Sequence, residues 1–203
     1  MTPAAQPLRR RRAGFALGGR TVLVTGATGG IGAAAARAVA ARGASVIVSG
    51  RRADELEAVA AAVGGRALVA DLSAPDGPAR LLEEAGHVDV LVANAGLPGS
   101  GELTSYSLEQ VDRVLDVNLR APVVLARLLA EEMIARRSGH LVFVSSLSGK
   151  SAGPHSSLYS ATKYGLRGFS LSLRQDLEEH GVGVSCIFPG FVRDAGMFAS
   201  SGA

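Results

Sequence analysis

A chain of 203 residues with 47% hydrophobic content can bury one domain well and is too short for two of ordinary size. The formal net charge of +3 comes from four consecutive arginines at residues 9–12, in a leader over residues 1–18 that is expected to be disordered; without interleaved aromatics the run is no nucleic-acid footprint. No apolar stretch reaches membrane-spanning length and the leader lacks the apolar core of a secretory signal, so no membrane partner is expected and the chain is read as cytoplasmic.

Residues 21–24 are a short apolar, β-branched run, read as a strand. It meets the turn Thr25-Gly26-Ala27-Thr28-Gly29-Gly30-Ile31-Gly32, and an Ala-rich helical segment follows over residues 31–42. Glycines there permit a tight turn and close backbone approach to a pyrophosphate, while the helix N-terminus offers free N–H groups to the anion. The alternative is an ordinary glycine-rich connection; the strand and helix around it favour a dinucleotide. A second strand, residues 44–49, ends in Gly50-Arg51-Arg52, with no acid before Asp54. An acid would bind a ribose hydroxyl at this point, whereas guanidiniums suit a 2′-phosphate, so NADP is favoured over NAD. Otherwise the two arginines are solvated charges at a helix start.

Further apolar runs at residues 67–70, 88–93, 141–144 and 183–188 alternate with helical segments. Such near-continuous apolar strands are buried on both faces, which predicts an α/β fold of the Rossmann type: a doubly wound parallel sheet with helices on both faces. Two long amphipathic segments, residues 107–136 and 157–179, are expected side by side on one face of the sheet. The first is read as keeping Leu125, Leu128, Leu129 and Met133 on its exposed side. Cys186 sits within the last strand and reads as a small buried hydrophobe; one cysteine excludes a disulfide framework within the chain. His87, His140, His155 and His180 are scattered without ligand spacing, so no metal site is expected.

Tyr159 and Lys163 stand one helical turn apart, thirteen residues after Ser146. A phenol of reference pKa about 10 is a poor acid or base at neutral pH until something stabilises its anion. An ammonium one turn away is expected to lower that pKa, and Ser146 could hold a substrate oxygen while the proton moves. The chemistry implied is carbonyl/alcohol interconversion. The bland alternative is a surface tyrosine packed beside a lysine stem.

With these residues in place the chain resembles the short-chain dehydrogenase/reductase family over residues 21–203, read with residues 19 and 20 as one dinucleotide-binding catalytic domain. The resemblance rests on Thr25, Gly26, Gly30 and Gly32, then Asp71, Asn94-Ala95-Gly96, Asn118, Ser146, Tyr159, Lys163 and Pro189-Gly190, whose order and spacing agree. It implies that Tyr159 is the general acid in reduction and the base in oxidation, with Ser146 positioning the substrate oxygen. Lys163 would also bind the nicotinamide ribose, and Asn118 would link Lys163 to solvent through a water. Unless it serves a proton relay, an Asn at this place in the run 114–125 could satisfy a backbone kink. Asp71 would contact adenine and Asn94 would brace the central strand, unless either is only a strand cap. The cofactor site is completed by Thr28, Ile31, Leu72, Ala95, Gly96, Pro189, Gly190 and Val192. The two long helices would pack against their copies in a second subunit, giving a homo-oligomer.

Three features depart from the pattern. The turn also reads Gly26-x-x-Gly29-x-x-Gly32, the spacing of an extended branch of epimerases and dehydratases with tightly held NAD, against which Asn94-Ala95-Gly96 and the length argue. Asp194 stands where the family usually has Thr and is expected to pair with Arg193. The sequence stops at Ala203, so the helix and strand that usually follow are expected to be missing, which leaves strand 183–188 as an unprotected edge. The functional expectation is an NAD(P)-dependent reductase or dehydrogenase acting on a small carbonyl or alcohol. The alternatives are a non-catalytic dinucleotide sensor, or an epimerase or dehydratase.

Overall fold

The computed structural model describes residues 15–190 and 192. The expected disorder of residues 1–14 and the pairing of Asp194 with Arg193 fall outside them. The described chain alternates β1 (Thr21–Thr25), α1 (Gly30–Ala40), β2 (Ser45–Gly50), α2 (Ala53–Val63), β3 (Arg66–Val69), α3 (Gly77–Ala85) and β4 (Val90–Ala93). It continues with α4 (Leu108–Leu115), a π-helical turn (Asp116–Arg120), α5 (Ala121–Ala135), β5 (Gly139–Val144), α6 (Ser157–Glu178) and β6 (Val182–Ile187). All strand pairs are parallel, in the order β3-β2-β1-β4-β5-β6.

Local chemistry sets the element ends. Asp54 and Glu55 lie in the first turn of α2, where they complement the helix dipole, and Gly64 closes it in the left-handed region at φ 62°. Ser107 and Gln110 form a reciprocal capping box at the start of α4. Alternation along the strands then sorts the core into two layers. Leu23, Leu91, Leu141 and Phe143 face α3, α5 and α6, while Val22, Val24, Val46 and Val48 face α1 and α2.

Two expectations need correction. The segment 107–136 is not one helix: the π-turn interrupts it at Asn118. Leu125, Leu129 and Met133 are not on an exposed side either. All three are buried in the sheet-facing core, and of the four only Leu128 is exposed, at 41%. The apolar stripe of α5 is therefore wider than the sequence period suggested, and most of it is satisfied by the sheet. Cys186 is half-buried rather than fully enclosed.

Candidate active site

Strand order reverses between β1 and β4, so the connections leaving their C-terminal ends diverge and open a crevice. A cavity of about 420 Å³ occupies it. The glycine turn forms part of its wall. Gly26 has φ 65°, and a Cβ on it would stand 2.7 Å from the Ala95 Cα, so only glycine brings this turn against the connection after β4. A Cβ on Gly32 would strike the Gly26 carbonyl and the Asn94 side chain. Asn94 fastens the two connections: its Nδ2 donates to the carbonyls of Thr25 (3.1 Å) and Gly26 (3.0 Å). In return the Thr25 hydroxyl accepts the N–H groups of Asn94 and Ala95, each at 3.1 Å. No side chain caps α1 and its first turn holds no acid, so its N-terminal N–H groups are open to an anion.

Arg51, Arg52 and Asp71 also line the cavity. Arg52 is held by Glu55 at 3.0 Å. Asp71 accepts from the Ser73 backbone (3.0 Å) and hydroxyl (2.7 Å), and pairs with Arg113 of α4 at 3.2 Å. Burial alone would raise the Asp71 carboxyl; the Ser73 hydrogen bonds, then Arg113 and Arg51, together hold it below its ordinary value.

Ser146, Tyr159 and Lys163 converge between the end of β5 and the first turns of α6. Tyr159 is buried, and the Ser146 hydroxyl hydrogen-bonds its phenol. Lys163 is also buried; its ammonium lies 5.5 Å from the Tyr159 ring centroid and donates to the Val144 carbonyl at 3.0 Å. Loss of hydration pushes Lys163 down to about 8, against a smaller upward pull from Cys186. The expected lowering of the phenol pKa is not what this arrangement gives. Burial raises Tyr159, opposed in part by Ser146, because the lysine charge is turned to a backbone carbonyl.

The buried Asn118 side chain, on the π-turn, clamps the connection after β4. Its Oδ1 accepts from the Leu97 N–H at 2.6 Å, while Nδ2 donates to the Leu97 carbonyl at 2.9 Å and to Thr162 at 3.4 Å. Leu97 lines the cavity, and two residues later the Gly99 carbonyl accepts the Tyr159 N–H at 3.3 Å. One short connection thus ties the crevice to the tyrosine.

Over residues 20–203 the sequence matches the family described as short chain dehydrogenase. The chain belongs to the short-chain dehydrogenase/reductase family. It is 41% identical over 187 residues to nodulation protein G of Rhizobium sp. (strain N33), covering 89% of this chain and 76% of that protein. It is 35% identical to the 3-oxoacyl-(acyl-carrier-protein) reductase FabG of Rickettsia conorii, covering 87% of this chain and 74% of that one. A crystal structure of a metagenomic short-chain oxidoreductase in complex with NADP matches with a TM-score of 0.78 and 39% identity, over 88% of this chain and 86% of that one.

As a short-chain dehydrogenase/reductase the protein is an oxidoreductase, and the crevice suits a nicotinamide dinucleotide: a glycine cradle that a Cβ would fill, an uncapped helix N-terminus and two guanidiniums. Gly26, Thr28, Gly30, Ile31, Arg51, Asp71, Leu72, Asn94, Ala95 and Gly96 share the cavity wall. Gly32 packs beneath it. Pro189 and Gly190 lie instead against the segment after Ser146, where the Leu147 N–H donates to the Pro189 carbonyl at 3.0 Å. Val192 is exposed. Ser49, Leu97 and Val117 line the cavity too and were missed. A polar Ser in an apolar strand was the one available signal; Leu97 and Val117 arrive through folding alone.

Proposed function

We propose that this short-chain dehydrogenase/reductase is an NADP-dependent enzyme interconverting a carbonyl and an alcohol, with Tyr159 as the proton donor in reduction and acceptor in oxidation. The observation that carries the reading is the buried Ser146–Tyr159–Lys163 cluster tied through Leu97 and Gly99 to the glycine-walled crevice. When bound, the dinucleotide supplies or accepts the hydride. The glycine turn and the α1 N-terminus would hold its pyrophosphate, Asp71 its adenine, and Arg51 the 2′-phosphate that separates NADP from NAD. Lys163 would bind the nicotinamide ribose. Its pKa of about 8 leaves it mostly charged at neutral pH, and freed from Val144 it would favour phenolate over phenol. Ser146 would donate to the substrate oxygen and hold it beside the phenol.

The substrate class is a medium-sized hydrophobic or acyl carbonyl compound, with the loop at residues 149–158, including Pro154 and His155, along one side of the pocket. The similarity to a 3-oxoacyl reductase supports the acyl reading. Cytoplasmic residence is part of the same proposal; among the described residues no helix is long and apolar enough to cross a membrane. Assembly would use the exposed sides of α5 and α6, where Leu128, Tyr164 and Leu171 remain uncovered in the single chain. The decisive assay is NADPH oxidation with a panel of ketones and 3-oxoacyl thioesters. Tyr159→Phe is expected to lose roughly a hundredfold or more in rate, the usual worth of a positioned proton donor. An unchanged rate refutes Tyr159 as that donor.

A further inference from the structure

We infer that Arg113, a residue of α4 outside the catalytic cluster, sets the preference for a 2′-phosphorylated cofactor by keeping the Asp71 carboxylate off Arg51. The inference rests on the proposed 2′-phosphate contact of Arg51. β2 and β3 run in parallel with Gly50 opposite Val69, and the Ala70 N–H donates to the Gly50 carbonyl at 3.0 Å. Arg51 and Asp71 therefore leave adjacent strand ends a residue or so apart, and both line the same cavity. A carboxylate so placed would compete with an incoming phosphate for the same guanidinium, since both are anions that a fork of N–H donors recognises.

The structure resolves that competition in one direction. Asp71 spends one oxygen on Ser73 and gives the other to Arg113, at 3.2 Å. Arg51 influences it only through space. Among the described residues Arg51 makes no hydrogen bond or ion pair, whereas its neighbour Arg52 is engaged by Glu55 and reaches the Thr28 carbonyl. The charged groups at this end of the cavity are then Arg51, Arg52 with Glu55, and Asp71 with Arg113. Removing the Arg113 charge leaves Asp71 with Arg51 as its nearest cationic partner, so a 2′-phosphate must displace a carboxylate before it binds. NAD has no such group and loses nothing by the exchange. Arg113 is thus a positioning residue acting through Asp71.

The pair is partly exposed, with side chains 43% and 44% accessible, so the effect is modest and salt-sensitive. The test is a titration of the full-length protein with NADP and with NAD at low ionic strength, followed by nicotinamide or intrinsic fluorescence. Arg113→Met keeps most of the side-chain stem and removes the charge. It is expected to lower the ratio of NADP to NAD affinity about three- to fivefold, the size of an exposed ion pair. In an Asp71→Asn background the same substitution should leave that ratio unmoved. Equal losses for both cofactors, no change in the ratio, or a ratio change that persists in the Asp71→Asn background would each overturn the inference, because a merely structural Arg113 predicts one of those. Arg51→Ala separates the underlying reading: if it weakens NADP alone while Arg113→Met has no effect, the 2′-phosphate contact stands and only the role of Arg113 fails. If Arg51→Ala weakens both cofactors alike, the contact itself falls, and the inference with it.

Discussion

Lys163 shows how one residue carries opposing demands. Its burial strips water from an ammonium, and one carbonyl at 3.0 Å replaces only part of that hydration. The charged form is therefore penalised in the folded protein, and the pKa falls from 10.5 to about 8. Between those values the unfolded chain binds a proton that the native chain has released, so stability rises with pH across that window. Tyr159 acts the other way above pH ~10, where its raised pKa makes the unfolded phenol ionise first. The clean interval is pH 8 to 10. Over it, the unfolding free energy of the parent should gain roughly 2 to 3 kcal/mol relative to Lys163→Met, measured by urea titration. A constant difference between the two would show that the lysine titrates normally. The YxxxK spacing alone gave the adjacency of the two groups; it could not give the sign of the phenol shift, which depends on where the ammonium points.

The π-turn at Asp116–Arg120 is the element where sequence reading and structure part most clearly. Asn118 is a poor helix former, and that much was legible as a possible kink. What it holds was not, since Leu97 lies 21 residues earlier and carries no signal of its own. The widened turn lets a buried amide leave the helix and satisfy both backbone groups of Leu97, in keeping with the frequent use of π-bulges at functional sites. Asn118→Ala leaves those two groups without their partner. It should cost about 1 to 3 kcal/mol in denaturant unfolding and also weaken dinucleotide binding, because Leu97 lines the cavity. If stability falls while cofactor titrations are unchanged, the connection from Leu97 to the crevice is mechanical support and nothing more.

At the scale of the whole molecule the parallel sheet explains why the site lies where it does: every β–α connection that lines the crevice leaves a strand at the same end. The expected edge at the last strand matches β6, which pairs only with β5 among the described residues and leaves Ile187 44% exposed. The corrected burial of Leu125, Leu129 and Met133 narrows the proposed subunit contact to the apolar side chains that remain outside, on α5 and α6. Leu128→Asp together with Leu171→Asp should shift the protein from dimer to monomer in sedimentation velocity without lowering its melting temperature by more than a few degrees. A parent that sediments as a monomer would remove this contact from the proposal.

The alternation of strands and helices, the glycine turn and the one-turn spacing of Tyr159 and Lys163 were all legible in the order of residues, because each follows from local geometry: strand and helix periods, glycine's access to positive φ, and the pitch of a helix. Folding alone settled which side of α5 faces the core, which backbone Asn118 holds, which arginine Asp71 pairs with and which carbonyl receives the lysine. Those outcomes join residues far apart in the chain, and each is a competition among partners that no local pattern ranks.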